Sequence, residues 1–131
     1  MNDGSLTLGG GMNKKKILII EDEERIRNIY TALLVERGFL VRAATDATQA
    51  TNILIREDVD LILLDLKMPE VNGRTMFEII QECNPHTKVI ISSVYPIDRQ
   101  KQMVTQAADY HDKSQGLEAL LEKIDHSFIA I

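Results

Sequence analysis

A doubly wound α/β sandwich is the fold this sequence predicts, and three observations predict it. Short apolar runs recur along the chain, an amphipathic stretch at helical spacing separates each from the next, and acidic or hydroxyl residues follow several of the runs. Parallel neighbours in one sheet need crossover connections, and the crossovers here are helical. Five strands alternating with five helices therefore imply a parallel sheet covered on both faces.

The first run, Ile17 to Ile20, is apolar throughout and reads as a strand buried on both faces. Ile26, Ile29, Tyr30, Leu33 and Leu34 recur every three or four residues and predict the first helix, which Gly38 closes. Phe39 to Ala43 gives the second strand, Ala47, Ala50, Ile53 and Leu54 mark the second helix, and Leu61 to Leu64 form the third strand. Met76, Phe77, Ile79 and Ile80 after Gly73 predict the third helix, and Val89 to Ile91 the fourth strand. A weaker helix is expected around Gln100 to Gln106 and a fifth strand over Ala107 to Tyr110. Leu117, Leu120, Leu121, Ile124 and Phe128 then repeat at helical spacing.

Residues 1–13 are glycine-rich, contain a second methionine at Met12, and read as a disordered leader or vector-derived extension. Residues 14–127 read as one domain, and 128–131 as an apolar tail and a candidate truncation point. With 131 residues, 44% hydrophobic and 27% charged, the chain has the composition of one globular domain with a continuous core. Its net charge of −5 argues against direct nucleic-acid binding, which needs a basic face. The single cysteine, Cys83, forms no intrachain disulfide, and no run approaches the ~20 apolar residues of a membrane span. The expected address is the cytoplasm, without membrane insertion.

In doubly wound sheets the ligand crevice lies beyond the carboxyl ends of the strands, where strand order reverses. Here the first strand finishes into Glu21, Asp22 and Glu23, the third into Asp65 and the fourth into Ser92 and Ser93, while Lys113 follows the fifth. If the first and third strands are neighbours, Glu21, Asp22 and Asp65 crowd like charges together, and a divalent cation resolves the conflict. Ligands that are all oxygens favour a hard ion such as Mg²⁺. A phosphoryl group approaching Asp65 also needs positive charge and a hydroxyl donor, which Lys113 and Ser92 offer. Ser92 is preferred to Ser93 because it directly follows the apolar run.

Each piece has a blander explanation when taken alone. Glu21 to Glu24 resemble an acidic helix start, Asp65 a turn cap, Lys113 a solvated charge and Tyr110 ordinary core packing. Cys83, His86, His111 and His126 show no partners that would make them ligands or phosphodonors.

The set as a whole resembles the receiver domains of two-component response regulators. The resemblance rests on I-L-I-I-E-D-E at 17–23, L-L-D-L-K-M-P-E-V-N-G at 63–73, I-I-S-S at 90–93 and A-D-Y-H-D-K at 108–113, and covers roughly residues 14 to 127. It implies a flavodoxin-like five-stranded parallel sheet in the order 2-1-3-4-5. It implies that Asp65 is the phosphoacceptor, Asp22 a direct Mg²⁺ ligand and Glu21 a ligand through water. Lys67 would add its backbone carbonyl, with Mn²⁺ as a substitute ion. Ser92 and Lys113 would contact the phosphoryl group, and Tyr110 would change rotamer on activation.

The implied partners are a sensor histidine kinase or histidine phosphotransfer protein and an output domain or partner protein. The switched surface would be that of the fourth helix, fifth strand and fifth helix, through which a homodimer is a further expectation. Such a domain catalyses its own phosphorylation and dephosphorylation and is not a metabolic enzyme.

Three departures from the family pattern matter. Glu21 stands where aspartate is common, Ser114 replaces the proline that usually follows the lysine, and Lys67 and Val94 occupy positions that tune phosphoryl lifetime. A cis bond before a non-proline residue costs roughly 2.5 to 4 kcal/mol, so Ser114 puts the local loop geometry in question. A phosphate-independent docking or dimerisation module is the alternative function, disfavoured by the intact Asp65, Lys113 and acid pair. A phosphohydrolase would want a second acid at position 67, which is lysine, and a dinucleotide site would want G-x-G-x-x-G after the first strand.

Overall fold

The apolar runs become the five strands of one parallel sheet in a computed structural model that describes residues 14–68 and 71–129. The elements are β1 (Lys16–Ile20), α1 (Glu24–Glu36), β2 (Leu40–Ala44), α2 (Ala47–Arg56), β3 (Leu61–Leu64), α3 (Gly73–Cys83), β4 (Lys88–Ser93), α4 (Ile97–Met103), β5 (Asp109–Asp112) and α5 (Leu117–Ser127), with a 3₁₀ turn at Lys113–Gln115. The strands lie in the order β2-β1-β3-β4-β5, all pairs parallel, as the sequence predicts.

Alternation along each strand sorts the core into two layers. Ile17, Ile19, Leu61, Leu63 and Ile90 face Tyr30 and Leu34 of α1 and Leu120, Leu121 and Ile124 of α5. Leu18, Ile20, Ile62, Leu64, Val89 and Ile91 face Ala50 and Leu54 of α2 and Met76 and Ile80 of α3. The central strands β1 and β3 are buried on both faces and so read as unbroken apolar runs. Asp46 and Asn72 start α2 and α3 by accepting the amides of Gln49 and Thr75 with their side chains.

Three element positions differ from the sequence reading. The fourth helix starts at Ile97, three residues before the expected Gln100, because its inward residue is polar. Gln100 is fully buried and donates its side-chain amide to the carbonyls of Tyr95 and His111, so no apolar stripe marks the helix. The fifth strand is Asp109–Asp112 rather than Ala107–Tyr110, since Tyr110 and His111, not the alanines, are its buried residues. β2 begins one residue later than expected, at Leu40.

No cis peptide bond occurs among the described residues, so the Lys113–Ser114 bond is trans. Ser114 instead anchors the turn by donating its amide and hydroxyl to Asp112 Oδ1 at 2.9 and 2.7 Å. Phe128 packs on Phe39 with ring centroids 5.6 Å apart. The leader at 1–13, Pro69 and the last two residues of the tail lie outside the described residues. Among the described residues, no helix is long and apolar enough to cross a membrane.

Candidate functional site

Strand order reverses between β1 and β3, because the chain leaves β1 toward β2 on one side and returns through β3 on the other. Glu21 and Asp22 leave the carboxyl end of β1, Asp65 leaves that of β3, and Lys113 follows β5. The backbone fixes these exits: the Asp65 amide donates to the Ile20 carbonyl at 3.1 Å and the Glu21 amide to the Ala44 carbonyl at 3.0 Å.

Three carboxylates meet there. One oxygen each from Glu21, Asp22 and Asp65 lies within 4.8 Å of the others. Glu21 is 2% exposed and Asp65 5%, whereas Asp22 faces solvent. Lys113 Nζ donates to Glu21 Oε1 at 2.7 Å and stands 3.6 Å from Asp65 Oδ2. The Lys67 amide donates to Asp65 Oδ1 at 3.1 Å, and the Glu23 amide to Glu21 Oε2 at 3.3 Å. A cleft of about 320 Å³ opens over the cluster, lined by Glu21, Asp22, Glu23, Asp65, Lys67, Val94 and Lys113.

Among the described residues Lys113 is the one lysine paired with the three clustered carboxylates, which leaves the cluster short of positive charge. Burial, then the charge of Glu21, raises the Asp65 carboxyl to about 7 against the opposing pull of Lys113 and the Lys67 amide. Burial works against the charge of Lys113, but its hydrogen bond to Glu21 and the charges of Asp65 and Glu21 outweigh that and raise its pKa. An all-oxygen set that needs a further positive charge, with one carboxylate facing water, fits a hard divalent ion.

The remaining expected residues divide. Ser92 and Ser93 are both within β4, so Ser92 follows the apolar residues but not the strand, and its place along the chain does not by itself separate the two. The two serines face opposite sides of the sheet. Ser92 is buried on the α1 side with its hydroxyl 3.3 Å from that of Tyr30, while Ser93 Oγ accepts the Tyr95 amide at 3.3 Å. Neither lines the cleft. Tyr110 is buried on the far face, its hydroxyl donating to the Val104 carbonyl at 2.5 Å and accepting the Ala107 amide at 3.2 Å.

Two residues at the site escaped the sequence reading. Arg27 Nη1 donates to the carbonyls of Glu21 and Asp22, and Tyr30, read only as helix core, reaches Ser92. The available signal for Arg27 was a cation, the second after Arg25, one turn into a helix that follows the acidic run Glu21 to Glu24.

The response regulator receiver domain profile matches residues 17–125. A putative response regulator, NtrX-like, from Rickettsia felis is 39% identical over 84 residues, which are 63% of this chain and 18% of that protein. The chain thus spans less than a fifth of that relative. Response regulator TrrA of Thermotoga maritima, solved in complex with Mg²⁺-BeF, superposes with a TM-score of 0.79 at 27% identity, covering 87% of this chain and 99% of that one. The same protein in complex with histidine kinase ThkA gives a TM-score of 0.80 at 27% identity over 88% of this chain and 99% of that one. Strand order, the acid cluster facing a lysine and the match over residues 17–125 agree, and the chain belongs to the response regulator receiver domain family of two-component systems.

Proposed function

We propose that this receiver domain accepts a phosphoryl group on Asp65 from a phosphohistidine donor in a Mg²⁺-dependent reaction, and that the aspartyl-phosphate switches a binding surface. The observation that carries this reading is Lys113 standing 3.6 Å from Asp65 Oδ2 while Glu21, Asp22 and Asp65 share one oxygen cluster. A nucleophile, a cation for the incoming charge and a metal-competent acid set occupy one cleft.

In the proposed reaction an Asp65 oxygen attacks phosphorus, the bond from phosphorus to the donor imidazole nitrogen breaks, and the imidazole leaves with that electron pair. Lys113 orients the phosphoryl oxygens and offsets their charge. Glu21, Asp22 and Asp65, with the Lys67 backbone carbonyl, would hold Mg²⁺, or Mn²⁺ in its place. Bound there, the ion supplies charge neutralisation on the phosphoryl oxygens. Complexes of TrrA with Mg²⁺-BeF and with a histidine kinase support both the ion and the donor class.

Ser92 is the proposed hydroxyl contact for the phosphoryl group, which would require it to leave Tyr30. Ser93, one residue further along β4, is its rival. Tyr110 would relay the change to the face formed by α4, β5 and α5, where an output domain, a partner protein or a second copy would dock. A cytoplasmic address fits a kinase-facing signalling module of this kind.

Incubation with Mg²⁺ and acetyl phosphate followed by intact-mass measurement tests the reading. A phosphoryl mass gain in the wild type that is absent from Asp65→Ala and from an EDTA control is expected. Comparing Ser92→Ala with Ser93→Ala in the same assay assigns the hydroxyl. No Asp65-dependent gain would favour the phosphate-independent docking module instead.

A further inference from the structure

The acid pair hangs from the loop between β1 and α1, and the two acids are held differently. The Glu21 carboxylate is fixed by Lys113 and by the Glu23 amide. Asp22 is exposed and, among the described residues, its carboxylate forms no hydrogen bond or ion pair. Its aim toward Asp65 therefore depends on the backbone that carries it.

That backbone is clamped by one side chain. Arg27 Nη1 donates to the Glu21 carbonyl at 2.9 Å and to the Asp22 carbonyl at 3.2 Å. The guanidinium reaches back past Glu23, the residue that starts α1 without a side-chain cap of its own. A cation at a helix N-terminus opposes the helix dipole, so helix stability does not explain its position. Nor does pairing with the neighbouring acids, since Arg27 forms no ion pair within 4.0 Å among the described residues. Holding both carbonyls fixes the peptide planes on either side of Asp22, and so the direction of its Cα–Cβ bond.

We infer that Arg27 is a positioning residue of the divalent-ion site, holding the Glu21 and Asp22 carbonyls so that the Asp22 carboxylate is aimed at the cluster before the ion arrives. It acts on the ion only through Asp22 and Glu21. The inference rests on the phosphoryl-transfer reading of the acid cluster and assigns a supporting residue within it. Outer supports of metal ligands typically change affinity 10–100-fold when removed.

The test is calorimetric titration of MgCl₂ into the intact chain as wild type, Arg27→Ala and Arg27→Lys, with thermal melting and amide hydrogen exchange recorded without metal. Magnesium binding should weaken about tenfold in Arg27→Ala and less in Arg27→Lys, which keeps a donor and a charge. Exchange of the Asp22 and Glu23 amides should quicken in Arg27→Ala. Phosphorylation by acetyl phosphate should slow at low Mg²⁺ and return to the wild-type rate at saturating Mg²⁺, because the clamp affects ion binding and not the transfer step.

Wild-type magnesium affinity in Arg27→Ala, or a rate deficit that saturating Mg²⁺ leaves untouched, would overturn the assignment. Should Arg27→Ala fail to fold, Arg27→Lys and Arg27→Gln decide it by the same titration. A wild-type chain that binds no Mg²⁺ would instead overturn the function proposed for the cluster, and the metal-free exchange rates would still decide whether Arg27 clamps the loop.

Discussion

Lys113 Nζ sits 2.7 Å from Glu21 Oε1, a contact between residues 92 positions apart whose side chains are 13% and 3% exposed. The pair joins the ends of β1 and β5 across the intervening β3 and β4. Losing the lysine leaves Glu21 and Asp65 facing each other with no cation. Lys113→Met is expected to destabilise the metal-free protein by about 3 kcal/mol, the scale of breaking a buried ion pair from one side. Urea unfolding in EDTA measures this, and added Mg²⁺ should recover part of the loss.

Asp65 should make the metal-free protein respond to pH in an unusual direction. Its folded carboxyl is raised from 3.8 to about 7, so the folded state holds a proton that the unfolded chain has lost. Its contribution to stability is therefore full below 3.8 and disappears as pH rises to about 7. In EDTA, the wild type should gain stability relative to Asp65→Asn as pH falls through that window. A constant difference between the two unfolding midpoints would contradict the burial of Asp65 and its crowding by Glu21.

His111 works in the opposite sense. It is 1% exposed, its Nδ1 has no partner among the described residues, and burial followed by repulsion from Lys123 lowers its pKa from 6.5 to about 4. The imidazole is neutral in the fold, and the unfolded chain takes up the proton first. Its contribution is present above 6.5 and is lost as pH falls toward about 4. At about 1.4 kcal/mol per pH unit the loss reaches about 3 kcal/mol. His111→Val should lack this acid-side loss in the same unfolding series.

Gly73 is held close to the phosphoacceptor loop. A Cβ built on it would lie 2.7 Å from Leu66 Cα, and Leu66 directly follows Asp65. Backbone cannot yield as a flexible side-chain end can. Gly73→Ala should cost about 1–3 kcal/mol of stability, as overpacking does, and should slow acetyl phosphate labelling by displacing Asp65. Equal labelling rates at matched Mg²⁺ would show that the loop absorbs the methyl group.

How far each element was legible depended on how its burial is achieved. β1 and β3 bury apolar side chains on both faces and announce themselves as continuous runs. α4 turns the polar Gln100 inward and β5 turns His111 inward, so hydrophobic periodicity misplaced both by two or three residues. The acids were visible because each stands directly after an apolar strand. The serines were ambiguous because adjacent strand residues point to opposite faces, and the strand's end lies two residues beyond the apolar run.

The sequence alone determined the parallel α/β class, the acidic exits of β1 and β3, the late lysine and the family they resemble. These follow from local burial patterns and residue chemistry, which need no coordinates. Tertiary structure alone decided that Lys113 pairs with Glu21 more closely than with Asp65, that Ser92 turns to Tyr30, that the Lys113–Ser114 bond is trans, and that Arg27 grips the acid loop. Those outcomes depend on distances between segments far apart in the chain and on hydrogen-bond partners competing for the same atoms. Residue spacing encodes neither.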